Sequence, residues 1–151
     1  MDQTTYWKNF RSEHPEVISD EHDAFTLGFE GDVKTNNELA NLIKDGVKTG
    51  TSSALDLYAL SGEKMPKAGD YIIILDGQQQ PVCIILELEV KSYPLMEVSD
   101  QHAYNEGEGP RTLEYWRQVH IDFFKKEYAA YNQPFNDNIP VLCETFQVVY
   151  K

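Results

Sequence analysis

The chain has 151 residues, 41% of them hydrophobic and 25% charged, the balance of one globular domain able to bury a core rather than of a disordered segment. Its net charge of −12, from 25 acidic and 13 basic residues, opposes extensive non-specific nucleic-acid binding, which depends on lysine and arginine neutralising phosphates. Its apolar runs are too short to cross a bilayer, and the first sixteen residues, MDQTTYWKNFRSEHPE, lack the regions of a secretory signal, so a cytoplasmic protein away from membranes is expected.

Thr5 to Glu13 places Trp7 and Phe10 among polar residues and is followed by Pro15, the pattern of a short amphipathic helix. Ala24 to Phe29 alternates as a strand does, and the strand is expected to end at Gly31. Thr35-Asn36-Asn37-Glu38 has the form of a capping box. The stripe Leu39, Leu42, Ile43 follows, and Gly46 stands where a helix C-terminal glycine belongs. Ala54 to Leu60 reads as a short helix stopped by Ser61-Gly62.

Lys67-Ala68-Gly69-Asp70 turns into a strand, Tyr71 to Leu75, and Asp76-Gly77 is a hairpin signal. Val82 to Tyr93 is expected to be a long strand, with Glu87, Glu89 and Lys91 on a wet face and Leu86, Leu88 and Val90 on a buried one. Ser99 to Pro110 is a mixed acidic segment. Thr112 caps a helix reaching about Tyr128, whose apolar stripe is Trp116, Val119, Phe123 and Phe124. A last strand covers Val141 to Tyr150. No linker or repeat divides residues 1–151. Strands and helices mix without βαβ regularity, so the expected class is α+β, with a small, mainly antiparallel sheet or barrel.

Cys83 and Cys143 lie in apolar runs without CxxC or zinc-ligand spacing, and reduced, buried thiols are expected. The four histidines form no HExxH pattern, so no metal and no cofactor are expected. His22 reads as a solvated loop residue and His120 as a residue packing its helix on the sheet.

The segment Gly46-Val47-Lys48-Thr49-Gly50-Thr51-Ser52-Ser53 sets one lysine among four hydroxyls. It is not a nucleotide phosphate loop: Val47 precedes Lys48 where that motif needs glycine, and a helix rather than a strand comes before it. Two readings stay open from the residues alone. Lys48 suits a helix C-terminus as a solvated cation, and the hydroxyls can cap the helix that follows. Alternatively, Lys48 and Thr51, three apart across Gly50, form a base and nucleophile.

The segment resembles the signature of the ASCH family, a helix end followed by Gly-x-Lys-x-x-Thr/Ser-x-Arg. Gly46, Lys48 and Thr51 match it, while Ser53 stands where many members have the arginine, a departure shared with a longer bacterial subgroup. Tyr6-Trp7, Gly69-Asp70, Leu75-Asp76-Gly77, Glu106-Gly107-Glu108-Gly109, Leu113-Glu114-Tyr115-Trp116 and Pro140-Val141-Leu142-Cys143-Glu144 look like landmarks of that subgroup. The resemblance implies a single ASCH domain with a PUA-like small β-barrel and flanking helices. It also implies a nucleoside-type small ligand or RNA as partner.

One branch of the family hydrolyses the acetyl amide of N4-acetylcytidine with a lysine base, a threonine nucleophile and a glutamate acid. By that resemblance these are Lys48, Thr51 and Glu106, the last in His102-Ala103-Tyr104-Asn105-Glu106. Gly46, Thr49, Gly50, Ser52 and Ser53 are then expected around the ligand. Burial would favour a neutral amine and a protonated carboxyl, the forms this chemistry needs. The alternative expectation is a non-catalytic RNA-binding or protein-interaction module, or a ribonuclease-type member.

Overall fold

The computed structural model describes residues 1–151. The elements, in chain order, are α1 (Gln3–Glu13), β1 (Asp23–Thr26), α2 (Val33–Lys44), β2 (Gly50–Ala54), α3 (Tyr58–Ser61), β3 (Tyr71–Leu75), β4 (Pro81–Pro94), α4 (Asp100–Glu106), α5 (Leu113–Ala130) and β5 (Pro140–Tyr150). The strands form one sheet in the order β1-β3-β4-β5-β2. β1 runs parallel to β3, and every other pairing is antiparallel. The sheet curls into a half-barrel with flanking helices, the α+β, PUA-like class expected from the sequence. It stays open between its two edge strands, β1 and β2, and that opening becomes the cleft.

β3 is apolar at both parities because both sheet faces are covered. Ile73 packs with Trp7 and Phe10 of α1. Its neighbours Ile72 and Ile74 pack with Ala40 and Ile43 of α2. The expected helix α1 is present, with Asp2 accepting from the Thr5 N–H at 2.9 Å, and fully burying an aromatic such as Phe10 is worth about 1.5–3 kcal/mol. A third cluster, around Trp116, Phe124 and Tyr128, holds α5 against Val141 and Cys143 of β5. Thr112 caps α5 as expected, accepting from Tyr115 N–H at 3.2 Å. Both cysteines are buried and free.

Five local expectations need correction. α2 starts at Val33, not within the capping-box sequence, because Asp32 takes the cap position and accepts from Thr35 N–H at 3.2 Å. β1 stops at Thr26. Residues 50–54 form a strand rather than leading to a helix cap. The backbone of residues 50–54 pairs with an otherwise free edge of β5, and the chain turns helical only in a 3₁₀ turn at Leu55–Leu57 and in α3. The acidic segment after Ser99 contains α4, capped by Ser99 through His102 N–H at 3.1 Å.

The fifth correction concerns β4. Glu87 lies opposite Phe146 and Glu89 opposite Thr145, leaving Leu88 as an extra residue in the strand. This bulge interrupts the alternation at Glu87 and Leu88, while Glu89 and Lys91 stay exposed as expected. Leu88 is 48% exposed and Glu87 only 1%, the reverse of the expected faces.

Candidate functional site

Lys48 owes its position to the way α2 ends. Gly46 takes a left-handed conformation (φ +77°), and the N–H groups of Val47 and Lys48 both donate to Leu42 O at 3.0 Å, turning the chain inward at once. Lys48 is therefore 1% exposed, which removes the solvated-cation reading. Its Nζ donates to Glu106 Oε1 at 3.3 Å, to the Glu106 carbonyl at 3.4 Å and to Glu108 Oε2 at 3.1 Å. Two acceptors flank one glycine: Gly107 (φ +72°) ends α4 and folds the Glu108 side chain back toward the same amine.

Glu106, 2% exposed, is the hub. Its Oε2 accepts from Ser52 Oγ at 2.5 Å and from Trp116 Nε1, and lies 2.8 Å from His102 Nε2. His102 Nε2 is also 2.8 Å from Ser52 Oγ. Oε1 faces Lys48 and, at 3.4 Å, His120 Nε2. Burial pushes the Glu106 carboxyl up, but the Lys48 and His120 charges and the histidine hydrogen bonds outweigh it, leaving it well below the ordinary value. The expectation that burial would keep Glu106 protonated is thus overturned. Burial lowers His120, yet the Glu106 carboxylate beside it outweighs that and raises it above its ordinary 6.5.

His120 was expected to pack its helix on the sheet. Its ring does stack on Trp116 (4.3 Å between centroids, 16° between planes), and its Nδ1 lies 2.9 Å from the Trp116 carbonyl. Its other nitrogen belongs to the site. Only the arrival of α4 beside α5 could reveal this, since the i, i+4 spacing from Trp116 looks like packing. Ser52, His102, Glu108 and Trp116 acquire their site roles in the same way.

Lys48, Ser52, Glu106, Glu108 and His120 floor a cleft of about 600 Å³ between the two sheet edges, walled by rings such as Phe25, Phe29, Tyr58 and Phe123, with His102 and Trp116 behind them. Lys48, Thr51, Ser52, Ser53 and Glu106 all line it. Thr51 takes no part in the Glu106 cluster, and none of the three Lys48 contacts reaches its hydroxyl. Strand alternation sets Thr51 on the face opposite Ser52, beside Glu144, its partner on β5. Ser53 Oγ lies 2.7 Å from Tyr58 OH.

Gly46, Thr49 and Gly50 do not line the cleft. Thr49 ties β2 to α4 and β5, donating its N–H to Asn105 O at 2.7 Å and accepting from Phe146 N–H at 3.0 Å. Gly50 permits close approach: an added Cβ would fall 2.9 Å from Glu144 O and 3.4 Å from His102 Cε1. These three lie in the backbone around the cleft rather than on its wall. No three His, Cys, Asp or Glu side chains are placed to hold a metal ion.

The ASCH domain model matches residues 24–150, a span that contains every residue of this cluster. The chain belongs to the ASCH domain family. Protein EF3133 from Enterococcus faecalis V583, of the DUF984 family, is 39% identical, with a TM-score of 0.87 over 97% of this chain and 86% of that one. An ASCH domain from Lactobacillus crispatus JV V101 is 26% identical, with a TM-score of 0.89 over 100% of this chain and 97% of its own. No curated protein matches the chain.

Proposed function

We propose that the cleft of this ASCH protein binds a nucleoside-type ligand and hydrolyses an acyl amide on its base, as N4-acylated cytidine presents. One observation carries this: a buried Lys48–Glu106 pair forms the floor of an aromatic-walled cleft that Thr51 also lines. The lining favours a small ligand over RNA. It carries six carboxylates (Asp32, Glu63, Glu106, Glu108, Asp122, Glu127) against two lysines (Lys48, Lys126), and Ser53 adds no charge where many members have an arginine. A phosphate chain would meet repulsion there.

At rest the pair is ammonium and carboxylate. When an uncharged ligand expels water, a proton passes from Lys48 Nζ to Glu106 Oε1 without change in net charge, giving an amine base and a carboxylic acid together. The flexible lysine stem lets the amine leave Glu108 and turn to Thr51. Lys48 takes the Thr51 proton while Oγ1 bonds to the acyl carbon. The C–N bond breaks, and its electron pair stays on the base nitrogen, which Glu106 protonates. Water then cleaves the Thr51 ester by the same exchange: Lys48 accepts the water proton and Glu106 returns one to Thr51.

The β2 edge supplies a further group. The Thr49–Phe146 hydrogen bond and the register put Thr51 and Ser53 in hydrogen-bonded pairs with β5, so the Ser52 N–H points to the open edge, where an oxyanion forms. The test is chromatography of N4-acylated cytidines and short RNAs after incubation with the protein. Release of cytidine and acid, lost by at least about a hundredfold in Lys48→Met, Thr51→Val and Glu106→Gln, is expected. Nucleoside binding without turnover would overturn the hydrolase and leave a non-catalytic recognition module.

A further inference from the structure

Behind the cleft lies a second, smaller cavity of about 250 Å³, below the ~300–1,000 Å³ of drug-sized pockets. It shares Phe25, Leu27, Thr51, Tyr58 and Glu63 with the cleft, so the two adjoin. Its inner wall holds two carboxyls from neighbouring strands, Glu87 of β4 and Glu144 of β5, 1% and 7% exposed. Both Glu87 oxygens are buried without a hydrogen-bond partner, and no salt bridge reaches either residue. As two carboxylates neither can donate to the other; a proton on one lets them bond, and still leaves lone pairs of the pair facing the cavity.

The rest of the wall defines what would satisfy them. Lys64 is the only lysine or arginine on it, and that side chain is held by Asp23 at 2.9 Å. Asp70 and Glu63 add further negative charge, while Phe25, Ile74 and Phe146 supply apolar surface and ring faces. An anion would be repelled here, and a neutral apolar molecule would leave Glu87 unpaired. We infer that this inner cavity binds a compact organic cation, an alkylammonium or guanidinium head held between Glu87 and Glu144, with its apolar body against Phe25 and Phe146. Ring faces beside a desolvated cation add to such binding.

The groups facing the pair set the pH dependence. Burial, Glu144 and Asp70 push Glu87 up to about 10. Burial also raises Glu144, opposed first by a hydrogen bond from protonated Glu87 and then by Lys48 and His102, with Glu106 adding to it. The empty pair therefore holds a proton near neutrality, which a bound cation displaces. Affinity should rise with pH, by up to about tenfold per unit for one proton released. Alkylammonium ions stay charged over this range, having pKa values near ~10.4.

The test is isothermal titration of the intact protein with n-butylammonium, benzylammonium and n-butylguanidinium chlorides, and with butanol and benzyl alcohol as neutral isosteres. Saturable one-to-one binding of at least one cation is expected, with its isostere at least ~10-fold weaker and affinity rising between pH 6 and pH 8. Repeating the titration in two buffers of different ionisation enthalpy should report proton release. Glu87→Gln should weaken the cation at least ~10-fold; it removes the carboxyl that would ionise on binding without changing shape, and a melting curve checks its fold. Lys48→Met, which disables the proposed hydrolase, should keep the cation site. No saturable binding by the native protein, equal binding of the isosteres, or an unaffected Glu87→Gln would each overturn the inference, whether or not acyl cytidines are hydrolysed.

Discussion

Lys48 Nζ and Glu106 Oε1 lie 3.3 Å apart, and both residues are shut away from water, at 1% and 2% exposure. Glu108, the amine's other carboxylate partner at 3.1 Å, is 28% exposed at its side chain. The two contacts should therefore differ greatly in their effect on stability. Breaking a buried pair strands a charge at a cost of about 3–5 kcal/mol, whereas a partly solvated pair contributes about 1 kcal/mol or less.

Urea denaturation should accordingly show Lys48→Met and Glu106→Gln each destabilising by several kcal/mol, and Glu108→Gln by about 1 or less. The double variant Lys48→Met/Glu106→Gln should lose clearly less than the sum, because it strands neither partner of that pair. Additive losses would mean that the two residues act independently.

His120 should titrate above 6.5, since the Glu106 carboxylate beside it outweighs its burial. The sign follows directly. With its folded pKa raised, the stabilisation it contributes is complete below the unfolded value and fades as pH rises through the folded one. NMR of the imidazole should show the raised midpoint. In Glu106→Gln the midpoint should fall, because burial is then opposed only by the Trp116 carbonyl and Glu108.

The inner carboxyl pair makes the opposite prediction from Glu106. Glu87 is pushed up to about 10 from 4.5, so the folded state holds a proton that the unfolded chain releases. Stability is then lost as pH rises across that window. Glu87→Gln should flatten the alkaline decline and raise the melting temperature at pH 8, each kcal/mol gained giving about 2–4 °C. Glu106, held low, contributes above its unfolded value and loses that contribution only in acid.

Much of this was legible in the residues. The β3 run Tyr71–Leu75 and the Thr112 cap announce themselves by composition, and the ASCH-like pattern of Gly46, Lys48 and Thr51 points to the segment that runs along the cleft. Glu87 was not legible, because the bulge at Leu88 breaks the alternation of β4 locally and turns Glu87 inward, while Glu89 and Lys91 beyond it stay on the wet face. β2 was hidden by its Thr and Ser content, which suits a cap as well as an edge strand. The Glu106 shell was hidden for another reason: its donors come from β2, α4 and α5, and only tertiary packing brings Ser52, His102 and Trp116 together.

Gly107 supplies the last prediction, since it couples backbone conformation to the charge cluster. It sits at φ +72°, where a side chain is strained, and an added Cβ would lie 2.6 Å from Val47 O and 3.0 Å from Lys48 N. Neither neighbour is a flexible side-chain end, so the backbone on one side must move. The segment that must yield is the one that carries Lys48 inward. Gly107→Ala should therefore destabilise the fold by about 1–3 kcal/mol, the usual cost of such strain. It should also loosen Lys48 from Glu106, and the His120 midpoint should shift as the cluster's charges rearrange. Gly62→Ala is the control: that glycine has a similar φ of +75° but open space around its Cβ position. It should cost stability through strain alone and leave the His120 titration unchanged. A Gly107→Ala variant with native stability and an unshifted His120 would show that this close approach does not hold the cluster in place.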